Sequence, residues 1–313
     1  MSRARATLDA GLRKAILLAA TNGGVRRAVD RYGMRLGAAR FVAGETLDEC
    51  VAVLRRLNEQ GLYANTTILG ENVGDRAQAE AVAASYETVL SRLAAERLRA
   101  NVALKLTQLG LDLDEELAYA NAERVVGAAA ELGNFVRIDM EASGTVDATL
   151  RIYRRLRENG RDNVGTVLQA YLYRTEDDLR ALLPLRPNLR FVKGAYLEAA
   201  SVAYPDKRDV DASFARLVEL ALAEGAYAAV ATHDGRLIAR TLAFAREQGL
   251  GRDRYELQML YGVRPRLQLD LARQGHKVLV ATPYGPEWYP YLMRRLAERP
   301  ANVLFLARSL FRS

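Results

Sequence analysis

Eight short apolar segments alternate with longer amphipathic segments along this chain, and that alternation limits sharply the folds it can adopt. The short segments are rich in β-branched residues, and the longer ones repeat apolar residues at helical spacing. Predicted strands cover 63–69, 102–106, 135–140, 165–170, 189–193, 226–232, 255–260 and 277–281. Predicted helices cover 76–97, 114–132, 146–159, 175–183, 210–224, 235–248, 265–274 and 288–298.

Strand–helix pairs of this kind form parallel sheets covered by helices. Eight pairs predict an α/β fold, a (βα)8 TIM-type barrel that occupies residues 61–313. An open doubly wound sheet is the alternative, but no G-x-G-x-x-G turn follows the first predicted strand. Residues 1–60 read as helices with a break at 22–24, and we expect this N-terminal helical segment to pack on the barrel.

Composition narrows the class of protein further. Half of the 313 residues are hydrophobic and 27% are charged, which predicts a globular chain with a large core. The net charge of +7 favours anionic partners, but Lys and Arg are interleaved with Asp and Glu, so we expect no nucleic-acid partner. Cys50 is the single cysteine and there are two histidines, which leaves no internal disulfide and no metal site of the Cys/His type. This cysteine usage predicts a reducing, cytoplasmic location.

Polar residues interrupt the apolar runs of four predicted strands. In a closed parallel barrel, chemistry concentrates where the carboxyl ends of the strands meet. A charge within an apolar strand costs free energy unless it is paired or bound, so several on successive strands predict a site at this rim. Strand alternation separates Arg190 from Lys193, and we therefore expect different roles for these two cations. The interrupting residues are Lys105, Asp139, Gln169, Arg190 and Lys193.

The last predicted helix carries a charged stripe. Its members follow i, i+3, i+4, i+7 spacing and are Tyr291, Arg294, Arg295 and Glu298. Such a stripe is either a solvated face or a ligand site, and the spacing leaves both interpretations open. Two guanidinium groups side by side suit a small carboxylate, because their forked donors match carboxylate oxygens.

The chain resembles the proline dehydrogenase family in seven segments that run in the same order. The Y-x-x-R-R-x-x-E element together with V-K-G-A-Y is highly specific, and the chain length is similar to that of the monofunctional bacterial form. The segments are LKLTQLGLD (104–112), FVRIDME (135–141), VLQAYLYRT (167–175), RFVKGAYLE (190–198), ATHD (231–234), LQMLYGVRP (257–265) and YLMRRLAERPAN (291–302).

The resemblance implies a distorted (βα)8 barrel with non-covalently bound FAD. It implies oxidation of L-proline to Δ1-pyrroline-5-carboxylate by hydride transfer to flavin N5, the first step of proline catabolism. The implied catalytic residues beside substrate and flavin are Asp139 and Arg190. The implied proline-binding residues are Lys105, Tyr196, Tyr291, Arg294 and Arg295. The implied cofactor-binding residues are Val167, Gln169, Arg190, Lys193, Gly194, Ala195, Thr232, His233 and Glu298, the last of which would pair with Arg294.

The resemblance also implies partners. Electrons would pass to a membrane quinone through peripheral contact at the inner face of the membrane, since no apolar run reaches the roughly 18 residues of a membrane span. A downstream pyrroline-5-carboxylate dehydrogenase would take the product. No metal is expected.

One position departs from the family pattern. Ala281 stands shortly before the Pro-x-Gly turn at 283–285, where some relatives carry a tyrosine that shapes the substrate pocket.

Three other functions stay open. Lys193 could be the Schiff-base lysine of a barrel lyase rather than a cofactor contact. The remaining alternatives are a folate-reductase-type flavoprotein and a non-catalytic ligand-binding barrel.

Overall fold

The structure is a computed structural model that describes the backbone of residues 38–70 and 73–298 and the side chains of 39–70 and 73–293. The described residues form eight strands. They are Tyr63–Ile68 (β1), Ala100–Leu104 (β2), Val136–Ile138 (β3), Val164–Gln169 (β4), Asn188–Val192 (β5), Tyr227–Ala231 (β6), Tyr255–Leu260 (β7) and Val278–Tyr284 (β8).

These strands neighbour one another in chain order and close into a barrel. Each registered pair is parallel, from Ala64 opposite Ala100 at the start to Leu260 opposite Ala281 at the end. The predicted closed (βα)8 TIM-type barrel is therefore confirmed, and the open sheet is excluded.

Helices connect the strands as the alternation predicts, and a further helix precedes β1 while another follows β8. They are Leu47–Glu59 (α1), Arg76–Ala95 (α2), Glu115–Glu131 (α3), Val146–Glu158 (α4), Thr175–Leu182 (α5), Lys207–Ala223 (α6), Gly235–Glu247 (α7), Pro265–Arg273 (α8) and Trp288–Glu298 (α9). Several begin at a capping aspartate that accepts a hydrogen bond from a backbone N–H of the first turn, as Asp114 does from Leu117 at 2.8 Å.

Burial follows from this arrangement. All six residues of β4 are buried, because side chains fill the inside of the barrel while helices cover its outside. Cys50 in α1 is also buried. None of the helices in the described part of the chain is long and apolar enough to span a membrane.

The chain divides into two compact units. The terminal unit comprises the described residues of 1–53, 68–70 and 282–313, and the barrel unit comprises those of 54–67 and 71–281. In the terminal unit, the Trp288 indole N–H donates to Oε1 of Glu45 at 2.7 Å, and the Gly285 N–H donates to the Gly44 carbonyl at 3.0 Å. The predicted packing of residues 1–60 on the barrel falls largely on 1–37, which lie outside the described residues, and it stays a prediction.

Candidate active site

Most of the predicted site residues lie in the barrel unit, within or just after neighbouring strands. Because the strands are parallel, their carboxyl ends meet at one rim, which we name the carboxyl rim. Lys105 follows β2, Asp139 follows β3, Gln169 ends β4, Lys193 follows β5 and Thr232 follows β6.

Arg190 in β5 is the centre of a hydrogen-bonded group inside the barrel. Its side chain is only 9% exposed. Nη1 donates to Oδ1 of Asp139 at 2.7 Å, and Nη2 donates to Oδ1 of Asn65 on β1 at 2.8 Å. Nε is buried and has no hydrogen-bond partner among the described residues. The guanidinium is thus held from two sides, and its Nε–H is left as a donor for a ligand.

A second amide extends this group. Asn65 Nδ2 donates to Oδ1 of Asn101 on β2 at 2.6 Å. Sequence reasoning missed both asparagines. The one signal was Asn65 inside a predicted strand, a position where asparagine is uncommon.

Val167 and Gln169 of β4 lie beside Arg190. Val167 is the register partner of Arg190, and both β4 residues are buried. The Gln169 side chain donates from Nε2 to the Glu141 carbonyl at 3.2 Å. Its Oε1 is buried without a partner among the residues that the structure describes. A buried acceptor of this kind is costly in the absence of a ligand that donates to it.

Glu141, which follows β3, forms a buried carboxyl group near Lys105. It accepts from the Thr107 hydroxyl at 2.7 Å and from the Thr107 N–H at 3.2 Å. Burial raises the pKa of this carboxyl, although the Thr107 hydrogen bonds and the charge of Lys105 oppose the shift. The group ties the turn after β2, which carries Lys105, to the segment after β3.

Lys193 belongs to a different group from Arg190, as strand alternation predicts. Its ammonium forms an ion pair with Asp211 in α6 and lies 3.8 Å from Asp234, the N-cap of α7. Lys207 contacts the same two carboxylates. Burial alone would raise the pKa of Asp211, but the hydrogen bonds from the two lysines hold it below its ordinary value.

An open cavity of ≈ 480 Å³ adjoins this lysine–aspartate group. Basic side chains outnumber acidic ones around it, so it suits an anion. Its charged lining consists of Lys207, Arg208, Asp211, Asp234, Arg236 and Arg240. Sequence reasoning missed this cavity, because the predicted helix began at 210 rather than at Lys207.

The segment after β5, residues 193–198, is held by a close backbone approach at Gly194 and by hydrogen bonds to Glu198. Gly194 has a φ of +113°, and a Cβ there would collide with the Tyr171 ring. Glu198 accepts hydrogen bonds from the Ser143 N–H at 2.7 Å and the Ser143 hydroxyl at 2.5 Å. Between these anchors lie Ala195, which is exposed, and Tyr196, which is half-buried.

Thr232 and His233 follow β6. The Thr232 hydroxyl accepts from the Asp234 N–H at 3.1 Å. His233 Nε2 accepts from the Leu260 N–H at 2.9 Å, which assigns the ring proton of the neutral imidazole to Nδ1. Because that nitrogen is already engaged, His233 is poorly suited to act as a general base.

The charged stripe lies on α9, in the terminal unit. The helix itself is confirmed over the predicted 288–298, and Tyr291 is half-buried. The side chains of Arg294, Arg295 and Glu298 lie outside the described residues. Their substrate and cofactor roles remain predictions from the motif.

Comparison with known proteins identifies the family. The model of the proline dehydrogenase family matches residues 50–308. "Proline dehydrogenase 1" of Bacillus subtilis (strain 168) is 42% identical over 301 residues, which cover 96% of this chain and 99% of the relative. "Proline dehydrogenase" of Deinococcus radiodurans is 41% identical over 309 residues, which cover 97% and 99% of the two chains. The chain belongs to the proline dehydrogenase family.

A solved structure supports the same fold. Proline utilization A from Bdellovibrio bacteriovorus, inactivated by N-propargylglycine, superposes with a TM-score of 0.80 at 24% identity. The match covers 92% of this chain and 36% of that longer chain. The "Bifunctional protein PutA" of Escherichia coli (strain K12) is 27% identical over 91% of this chain and 25% of its own length.

Membership defines the reaction class. A proline dehydrogenase is an oxidoreductase that carries out the first step of proline catabolism, and the family depends on a flavin. The residues of the carboxyl rim fit such a group. Arg190 Nε is a buried donor and Gln169 Oε1 a buried acceptor, each without a partner among the described residues, and a flavin ring offers atoms of both kinds.

Proposed function

We propose that this enzyme binds FAD non-covalently and oxidises L-proline to Δ1-pyrroline-5-carboxylate. When bound, the flavin would supply the hydride acceptor, N5 of its ring. The observation that carries this proposal is the buried Arg190 guanidinium, held by Asp139 and Asn65 with Nε left for a ligand. A fixed cation beside a redox ring stabilises the negative charge that reduction brings.

The remaining cofactor contacts follow the strand ends. Val167 and Gln169 would flank the ring, and Gly194 and Ala195 would let the backbone approach the cofactor. Thr232 and His233 would contact it from the segment after β6. Lys193 stands beside the basic cavity, which suits the diphosphate half of FAD.

The substrate would be held by its carboxylate. We assign this role to Arg294, Arg295 and Lys105, on the strength of the motif and of the match between guanidinium forks and carboxylate oxygens. Tyr196 and Tyr291 would line the ring pocket, and Glu298 would orient Arg294. Holding the carboxylate fixes the substrate ring and removes an orientation cost from the reaction.

Turnover is predicted to rise with pH, because the proline nitrogen must be uncharged when hydride leaves the adjacent carbon. His233 Nε2 is already bound to the Leu260 N–H, so the bound amine would lose its proton to solvent. Steady-state rates at saturating L-proline would measure this. A flat profile between about pH 6 and pH 9 would contradict it.

We further propose that the reduced enzyme passes its electrons to a membrane quinone through peripheral contact at the inner face of the membrane. The reaction product would be the substrate of a separate pyrroline-5-carboxylate dehydrogenase. The bifunctional name of the PutA relatives supports a link between two such activities.

The deciding experiment is optical. Purified protein should be yellow, and the flavin absorbance should bleach when L-proline is added without oxygen. Colourless protein that takes up no FAD would overturn the cofactor assignment, and bleaching by NADPH but not by proline would point to a folate-reductase-type enzyme. Trapping of a carbonyl substrate by borohydride would point to a lyase. The contacts of Lys193 speak against that interpretation, because its ammonium is engaged by two carboxylates and a Schiff-base lysine needs an uncharged amine.

A further inference from the structure

The Arg190 guanidinium is held from its two sides by groups of different charge. Asp139 is a carboxylate that follows β3, and Asn65 is a neutral amide on β1. Asn65 is 2% exposed, so it is as deeply buried as the hydrophobic core. The Asn65 side chain also donates a hydrogen bond to Asn101, which connects it to β2.

Hydrogen-bond directions fix the orientation of this chain of groups. A guanidinium only donates, so the Asn65 oxygen must face Arg190. The Asn65 NH₂ then faces Oδ1 of Asn101, which accepts at 2.6 Å. An amide meets both demands at once, whereas a carboxylate cannot donate to Asn101 and an apolar side chain cannot accept from Arg190.

The neutrality of the amide matters as much as its shape. Asp139 already supplies one negative charge to Arg190, and a second carboxylate at position 65 would offset the positive charge inside a poorly solvated barrel. An amide restrains the guanidinium without weakening its field.

We propose that Asn65 is a positioning residue for the reaction: it fixes the plane of the Arg190 guanidinium and preserves its positive charge for the flavin, and Asn101 in turn fixes the Asn65 amide. This inference rests on the proposed function of Arg190. It adds one residue of β1 and one residue of β2 to the hydrogen-bonded group around Arg190.

The test compares Asn65→Asp and Asn65→Leu with the parent enzyme, each loaded with FAD. In Asn65→Asp the added charge disfavours reduced flavin by about tenfold relative to oxidised flavin, a shift of about 30 mV to lower potential for a two-electron couple. An anaerobic redox titration followed by flavin absorbance measures it. We expect kcat to fall about tenfold in both variants while KM for L-proline stays within about twofold, since the carboxylate is held elsewhere.

Asn163→Asp provides the matched control. Asn163 precedes β4 and donates to two backbone carbonyls, of Val126 and Asn134, far along the strand from the carboxyl rim. This variant should lose stability but keep the parent's potential. If Asn65→Asp fails to fold, Asn101→Leu tests the same chain of groups, because it removes the acceptor that orients the amide and should lower kcat.

The outcomes separate this inference from the proposed function. A parent protein that binds no FAD, or is not reduced by L-proline, defeats the proposed function itself. A parent that is reduced normally, together with folded Asn65 variants of unchanged potential and unchanged kcat, defeats only the role of Asn65.

Discussion

At the scale of single residues, the site is built from buried polar groups whose partners lie on different strands. Glu141 shows how such a group affects stability. Its folded pKa is raised by burial, so the folded state holds the proton more tightly than the unfolded chain does. The stability that it contributes is present below the unfolded pKa of about 4.3 and is lost as pH rises through the folded pKa.

Glu141→Gln should therefore cost more stability at acid pH than at neutral pH. Urea unfolding of parent and variant at pH 4 and pH 7 measures the difference in the free energy of unfolding. Thr107→Val is the companion variant: it removes a hydrogen bond that lowers the pKa, so the loss of stability should move to higher pH. An equal cost of Glu141→Gln at both pH values would contradict a raised pKa of this carboxyl in the folded state.

Arg295 is a residue whose role follows from the motif alone. If its guanidinium holds the proline carboxylate, Arg295→Met should raise KM by roughly 30- to 1000-fold, equal to about 2–4 kcal/mol of lost charge-assisted contact. Initial rates over a wide range of L-proline concentrations measure the change. Arg273→Met removes a guanidinium from an arginine whose side chain is 74% exposed, and it should leave KM as it is. An unchanged KM in Arg295→Met would remove Arg295 from the site.

At the scale of elements, the sequence predicted each strand, with errors at the ends. The apolar run of 102–106 suggested a strand that includes Lys105, whereas β2 ends at Leu104 and Lys105 begins the turn beyond it. Conversely, β8 continues to Tyr284, three residues past the predicted end. Periodicity marks which residues face the core, but it carries little information on where strand pairing stops.

Contacts between elements were harder to predict than the elements themselves. The hydrogen bond between Arg190 and Asn65 joins residues 125 positions apart, and it depends on closure of the barrel. The pairing of Lys193 with Asp211 depends on where α6 begins and how it packs. Neither the register of a sheet nor a side-chain rotamer can be derived from hydrophobic spacing alone.

The segment after β5 offers a test at this scale. Gly194→Ala places a Cβ against the Tyr171 ring in a left-handed backbone conformation, so it should displace the segment and lower FAD content severely. Gly133 also has a positive φ, of +63°, but a Cβ added in Gly133→Ala has nothing within 4 Å. It should cost only about 1 kcal/mol of left-handed strain and keep its FAD. Flavin absorbance per mole of protein compares the two, and equal occupancy would contradict a role for Gly194 in shaping the site.

At the scale of the whole molecule, the barrel has two differently built ends. The carboxyl rim carries the proposed site residues of the barrel unit, whereas the amino ends of the strands carry an ion pair between buried Glu256 and partly exposed Lys277, for which we propose no catalytic role. There Glu256 of β7 accepts from Lys277 at 2.8 Å and from the Tyr227 hydroxyl at 3.0 Å. Burial alone would raise the pKa of Glu256, but the charge and hydrogen bond of Lys277 outweigh it and hold the pKa below its ordinary value.

Lys277→Met should therefore weaken the fold and spare the reaction. It leaves Glu256 buried without its cation, and because Lys277 is itself 42% exposed we expect a loss of about 2 kcal/mol at pH 7. A lowered pKa of Glu256 stabilises the fold above the unfolded pKa, and that contribution disappears as pH falls through the folded pKa. The difference in free energy of unfolding between parent and variant should therefore narrow below about pH 4.

The control is Arg76→Met, which breaks an exposed ion pair on α2. Its free energy of unfolding should stay within about 0.5 kcal/mol of the parent value. Since the amino ends lie a strand's length from the carboxyl rim, kcat and KM for L-proline should match the parent below the melting temperature, and a marked change in either would show that the two ends of the barrel are coupled.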